Sequence, residues 1–359
     1  MRLRSSLSAR ANSRGGHGRS RAQRQRRCAP RRAQRGVALI VAILLVALGT
    51  IIAATVGYEN AMAARRGTAT FAFDQSLLIS EGAEALAAYG IRQFYQSDSK
   101  SVYIGQGWDK PVGPMEVVPG VMLEASLEDM QGRLNLNNLV KKEDGTPNAV
   151  YVNAFTKLLE MVGLEPKWAP MVVDWIDADI VPQNVDGAED SVYMGQVPPY
   201  RTANRYITST TELLALPGFG RDRYLALAPY IAALPQGTMI NVCTAKDKVL
   251  DAFLPQGQTE FSATVGQLGK NRTATSGCFP TLSNYQAAFG PPPANTAPGG
   301  PTSGANARQT AATYFGQNSQ YFRITSFITI GSAEFNLYSL MYRDATGAVR
   351  PIQRSFTPD

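Results

Sequence analysis

Six carboxylates crowd residues 174–190 (DWIDADIVPQNVDGAED): Asp174, Asp177, Asp179, Asp186, Glu189 and Asp190, with no Lys, Arg or His among them. Such a density repels itself unless it is solvated, protonated or bound to a cation. Oxygen-only ligands on a loop carrying Pro182 and Gly187 suit a hard cation of calcium size. The spacing is not that of an EF-hand. Counted from Asp177, the sixth position is Pro182 and the twelfth is Ala188, where that loop needs glycine and glutamate. From the residues alone, a calcium loop and a solvated acidic loop both stand.

Catalysis has little to draw on. The only histidine, His17, sits in a basic N-terminal stretch, so histidine-dependent triads and histidine–metal sites are missing from the rest of the chain. Carboxylate-pair hydrolysis at the acidic loop is the one enzymatic alternative, with only Trp175 and Tyr193 as aromatic surface beside it. The expectation is a protein that binds and is not an enzyme. Residues 212–220 (ELLALPGFG) have the form of a helix-hairpin-helix, whose glycine turn can offer backbone amides to a phosphate. Glu212 and Asp222 dilute Arg221 and Arg223, so a structural hairpin is favoured. A membrane-anchored nucleic-acid-binding protein is the alternative. Arg133, in Gln-Gly-Arg-Leu-Asn, reads as a structural hydrogen-bonding residue.

The elements that must position these residues follow from periodicity. No proline interrupts residues 37–100, and apolar residues recur at helical spacing from Met62 through Phe71, Leu77 and Leu86 to Ile91. One long helix is expected, apolar in its first half and amphipathic in its second. Residues 115–130 suggest short strands broken at Pro119-Gly120, and residues 321–330, 334–343 and 348–356 read as antiparallel strands. Strands on either side of a long central region imply one sheet interrupted by an insertion. That region, 134–235, reads as helical at 150–162, 168–176, 209–216 and 221–234, with Ser209-Thr210-Thr211-Glu212 as a cap-like start. Residues 290–304 (GPPPANTAPGGPTSG) read as an exposed loop.

Charge is divided unevenly. Residues 1–36 hold 12 of the 35 basic residues and none of the 28 acidic ones, leaving a remainder near −5 although the whole chain is +7. Directly after Arg35-Gly36 comes an uncharged apolar run, 37–58, about long enough at roughly 1.5 Å per residue to cross a bilayer core. Arginines beside such a span keep their end in the cytoplasm and send the remainder across.

This layout resembles a type IV prepilin-like N-terminus, in which a prepilin peptidase cuts after the glycine, here between Gly36 and Val37, and the apolar helix is kept. Most pilins carry glutamate at the fifth mature residue, which is Val41 here. Its absence, with Asp174-Trp-Ile-Asp177-Ala-Asp179 and Gly187-Ala-Glu189-Asp190-Ser-Val-Tyr193, resembles the minor pseudopilin K family of type II secretion systems (general secretion pathway protein K). Asp129-Met-Gln-Gly132-Arg133-Leu-Asn135, Arg201-Thr-Ala-Asn204 and Ile240-Asn241-Val-Cys243 are similar to the same family, which usually has asparagine at the position of Cys243.

The resemblance implies an α+β fold: a long N-terminal transmembrane helix and a pilin-like antiparallel sheet interrupted by a large, mostly helical insert. The expected organisation is a leader (1–36), a transmembrane part (37–58), a first pilin-like part (59–133), the insert (134–235), a Cys-bearing segment (236–320) and C-terminal strands (321–359). It implies bound Ca²⁺ with Asp177, Asp179, Glu189, Asp190 and Glu212 as ligand candidates, and local capping for Asp174. It also implies a place at the tip of the pseudopilus, nucleating or capping assembly through Val41, Leu44, Leu45 and Leu48. Partners would be minor pseudopilins I and J, then H and the major pseudopilin, and not nucleic acid. The chain would be a single-pass protein of the bacterial inner membrane with a periplasmic C-terminal domain, methylated after cleavage. Cys28 would be lost with the leader. In an oxidising compartment Cys243 and Cys278 would form a disulfide closing a loop of about 35 residues, worth on the order of 3–4 kcal/mol, with two buried free thiols as the alternative.

Overall fold

The computed structural model describes residues 35–98, 100–289 and 313–358. The basic stretch holding His17 and Cys28, and the run 290–304, lie outside the described residues. Two compact units are present, Met1–Gly67 and Thr68–Asp359. The first helix, α1, covers Arg35–Ser97.

In the first unit α1 exposes apolar side chains on every face. Val41 is 47% accessible, Leu44 62%, Leu45 63% and Leu48 54%. A helix apolar all round needs an apolar surrounding. Its threonine hydroxyls need no water, because Thr50 Oγ1 donates to the Ala47 carbonyl (2.8 Å) and Thr55 Oγ1 to that of Ile51 (2.9 Å). The segment is long and apolar enough to cross a membrane.

In the second unit the remainder of α1 buries Ser76, Ser80, Ala83, Glu84 and Ile91, a single face at helical spacing. Beneath it lies a five-stranded antiparallel sheet in sequence order: β1 (Val112–Val118), β2 (Val121–Asp129), β3 (Tyr321–Ile330), β4 (Ala333–Arg343) and β5 (Val349–Ser355). Strands β1 and β2 turn at Pro119-Gly120, where Gly120 has φ 80°. β2 pairs with β3 from Val121↔Ile330 to Asp129↔Phe322, so the sheet is interrupted between residues 129 and 321 and closes again without a gap in register. Alternation along β3 sends Phe322, Ile324 and Ile328 toward α1, where they meet Ala83, Ile91, Val102, Trp108, Leu123 and Met341 in one core. The helix is fixed at its polar position too. Arg354 on β5 donates Nε and Nη2 to the two oxygens of buried Glu84 at 2.9 and 2.7 Å, and Ser339 on β4 bonds the same carboxylate.

The interruption is a second body with its own core. It contains α2 (Ala149–Met161), α3 (Trp168–Ile176), α4 (Asp190–Tyr193), α5 (Gly220–Leu227), α6 (Asp247–Phe253), α7 (Gln267–Thr275) and α8 (Leu282–Ala288). Two stretches expected as α-helix differ. Thr210–Ala215 is 3-10 helix, and the helix expected over 221–234 ends at Leu227, followed by the 3-10 turn Ala228–Tyr230 and the two-residue strand Ile231–Ala232. Pro229 lacks the amide hydrogen that would continue the helix. The expected boundary at 235/236 falls inside one buried cluster, because Val242, Cys243, Val249, Leu250, Tyr285 and Phe315 pack with Leu134, Phe155, Leu158 and Val172.

A buried polar joint connects this body to the sheet. Asp129, at the end of β2, accepts from Thr244 Oγ1 (2.5 Å), Ser319 Oγ (2.6 Å), Asn241 Nδ2 (3.0 Å) and the Gln131 amide (2.9 Å). One carboxylate thereby ties the chain leaving the sheet to both segments that return to it. Burial raises its pKa, and the four donors oppose that rise. Gly132 sits where a Cβ would lie 2.8 Å from the Thr244 carbonyl oxygen, so only glycine admits this approach. Cys243 and Cys278 are bonded to each other, their Cα atoms 4.7 Å apart.

Candidate cation site in the insert

Helix α3 carries Asp174 in its last turn and is followed by Asp177 as its C-terminal capping residue. The chain then makes a loop and returns at Glu189, the residue before α4. Asp174 determines the return: its Oδ2 accepts from the Ala188 amide (2.7 Å) and its Oδ1 from the Gln183 amide (3.2 Å). Gly187 is required for this closure, since a Cβ there would stand 2.4 Å from Asp174 Oδ2 and 2.8 Å from the Gln183 nitrogen.

The loop brings Asp174, Asp177 and Glu189 together, with one oxygen from each within 4.8 Å of the others, and all three residues are buried. Gln183 Nε2 donates to Asp177 Oδ2 (3.1 Å) and Thr202 Oγ1 to Glu189 Oε2 (3.2 Å). The remaining oxygens, Asp177 Oδ1 and Glu189 Oε1, are buried with no donor, as is Asn204 Oδ1 nearby in sequence. The Asn204 amide nitrogen donates to the Asp179 carbonyl (3.0 Å), which holds that residue against the same loop.

The electrostatics agree with the geometry. Burial, with Asp179 adding to it, pushes Asp174 up to about 6 against the opposing amide donors. Burial and the charges of Asp179 and Asp174 push Asp177 up to about 6. Glu189 is pushed to about 7, chiefly by burial. Three buried carboxylates with raised pKa values, two of them with an unpaired oxygen, have the charge and donor chemistry that a hard divalent cation satisfies.

The other candidates are engaged elsewhere. Asp179 is exposed and accepts from the Val181 amide (2.8 Å). Asp190 accepts from the Thr202 amide (3.1 Å) and hydroxyl (2.8 Å) and lies 3.6 Å from Arg201. Glu212 closes a capping box at Ser209, accepting from the Thr208 amide at 2.8 Å and from Trp175 Nε1 at 3.4 Å. Asp174, expected to bond locally, does so and also joins the group. Its signal was its position three residues before Asp177, on the face of α3 toward the loop. Asn204 was visible only as part of the Arg201–Asn204 resemblance.

At the glycine hairpin the two arginines differ, Arg221 being exposed. Arg223 turns inward, donating to the Gly218 and Phe219 carbonyls (both 3.0 Å) with its guanidinium 5.4 Å from the Trp168 ring. The nucleic-acid reading is not supported.

A family model described as type II secretion system (T2SS), protein K, matches residues 132–236. The chain is 28% identical to type II secretion system protein K of Pseudomonas aeruginosa, over 90% of this chain and 93% of that one. Against the proteins of the same name in Aeromonas hydrophila and Klebsiella pneumoniae it is 33% and 32% identical, covering 60% and 67% of this chain and 68% and 76% of theirs. A solved structure from the GspK-GspI-GspJ complex of the enterotoxigenic Escherichia coli type 2 secretion system superposes with a TM-score of 0.64 at 21% identity, covering 82% of this chain and all of that one.

Proposed function

The chain belongs to the type II secretion system protein K family, a minor pseudopilin family, and from that premise we propose that it caps the pseudopilus tip as a cation-braced, membrane-anchored subunit. The observation that carries this reading is the build of α1. Its first part exposes apolar side chains on all faces, while its second part is bound to a pilin-like sheet. A prepilin peptidase cuts between Gly36 and Val37, the new amine is methylated, and the helix anchors the protein in the inner membrane with the folded body in the periplasm.

Val41 stands where a glutamate would otherwise need a partner charge. A lone carboxylate in hydrocarbon costs roughly 3 kcal/mol or more, so the absence of one suits the subunit that has no neighbour beyond it. The insert interrupting the sheet is too large for a helical shaft, which agrees with terminal placement. Pseudopilins I and J pack on the helix through the side containing Leu44, Leu45 and Leu48, with H and the major pseudopilin added below.

Calcium is the cation the insert suits. Asp174, Asp177 and Glu189 hold it, and Asn204, which bonds the Asp179 carbonyl, has a buried amide oxygen still without a donor. Bound there, calcium supplies charge neutralisation. Asp177 and Glu189 would then join the start of the acidic loop to its end.

Co-expression of the full chain with full-length pseudopilins I and J in one membrane tests the tip reading. The expected result is a detergent-stable complex of all three. Recovery of this chain without either partner refutes it.

A further inference from the structure

Between the outer face of the sheet and the insert is a small, partly open cavity of about 20 Å³, lined by Arg133, Arg323, Thr208, Thr210, Leu340 and Gln353 among others. Its position follows from register: Glu128, Arg323 and Leu340 are directly opposite one another across β2, β3 and β4, and Leu340 pairs with Gln353 on β5. Two guanidiniums meet the same carboxylate. Arg133 Nη2 lies 2.6 Å from Glu128 Oε1, and Arg323 Nη2 lies 2.9 Å from Glu128 Oε2. Lys246 adds a third cation, its Nζ 3.9 Å from Glu128. Even with Asp247, which acts on Lys246, cations outnumber carboxylates three to two.

Both arginines are largely out of water, with side chains 7% and 14% accessible. Arg133 has acceptors at Glu128 and at the Ala228 carbonyl (2.9 Å). Arg323 does not use all its donors: its Nε–H is buried with no acceptor. A buried charged donor left unmatched costs more than an ordinary hydrogen bond contributes. Something that accepts, and that a surplus of positive charge favours, belongs beside it.

We infer that the cavity between Arg323, Arg133 and the Thr208–Thr210 segment is a binding site for one small inorganic anion of chloride size, which clamps the insert to the sheet. Size decides against larger anions. A single water-sized particle needs roughly 10–15 Å³, so a cavity of about 20 Å³ takes one such particle and not a tetrahedral oxyanion. The excess of cations decides between chloride and water. The site is separate from the acidic loop and does not depend on the cation reading.

Thermal unfolding of the full chain in detergent tests this, with sodium chloride exchanged for sodium gluconate at constant ionic strength. Above the dissociation constant, each tenfold rise in chloride should raise the midpoint by about 3 °C, because one bound ligand stabilises in proportion to the logarithm of its concentration. Arg323→Lys keeps the ion pair with Glu128 but removes the Nε donor, and it should fold and lose this dependence. Glu128→Gln makes the site more positive and should show the same rise at lower chloride. Equal chloride responses in the wild type and Arg323→Lys overturn the inference, as does a Glu128→Gln response moved to higher chloride.

Discussion

Withdrawing the proposed divalent cation is the perturbation that reports most on the insert. One oxygen from each of Asp174, Asp177 and Glu189 lies within 4.8 Å of the others. Two full charges at that distance repel by about 3 kcal/mol at an effective dielectric of roughly 20, so the ionised trio cannot persist without protons or a counter-charge. Calcium at a hundred times its dissociation constant should stabilise the fold by about 2.7 kcal/mol. For a unit of this size that is roughly 5–10 °C in the unfolding midpoint. The assay is thermal unfolding of the full chain in detergent, with calcium or with a chelator. Asp177→Asn should abolish the calcium response and raise the midpoint of the chelated protein, because it removes a like charge.

pH gives an independent sign. Folded pKa values near 6 for Asp174 and Asp177 and near 7 for Glu189 are above those of the unfolded chain. In chelator, stability is therefore complete below about pH 4 for these groups and is lost as pH rises through 6 to 7. Calcium should reverse that trend, since it binds the deprotonated forms and loses affinity below about pH 6. A midpoint indifferent to calcium and chelator at pH 7.5, with Asp177→Asn also indifferent, refutes the cation site.

The remaining predictions concern how the parts are held. Gly187→Ala forces the loop off Asp174 and should cost about 1–3 kcal/mol while removing the calcium response, read from the same melts. Replacing Cys243 and Cys278 together by serine opens a loop of 35 residues and should lower stability by about 2–4 kcal/mol, measured by urea unfolding against the unreduced wild type. Glu84→Ala leaves Arg354 without its bidentate partner. Since Arg354 is itself partly exposed, the loss should be about 1–3 kcal/mol, with α1 amides over residues 80–91 exchanging faster with deuterium.

Much of this architecture was legible because its signals are local. A long apolar run without proline can only be a helix, and β-branched alternation on both sides of a helical region implies an interrupted sheet. The capping box at Ser209 was equally local, and it explains why Glu212 faces its own turn and not the acidic loop. The rest depended on contacts between distant residues. Helix α7 has almost no amphipathic pattern and is fixed by Arg272 donating to the Val242 (3.0 Å), Ala245 (2.7 Å) and Phe279 (2.8 Å) carbonyls. Asp174 joined the carboxylate group only because Gly187 lets residues 183–188 fold back onto it. No spacing rule could supply that closure.

The most direct measurement is the intact mass and N-terminal sequence of the membrane-inserted chain, co-expressed with a prepilin peptidase. The account predicts a mature terminus at Val37, with its amine methylated. An uncut chain, or a cut beyond Val56, would contradict it.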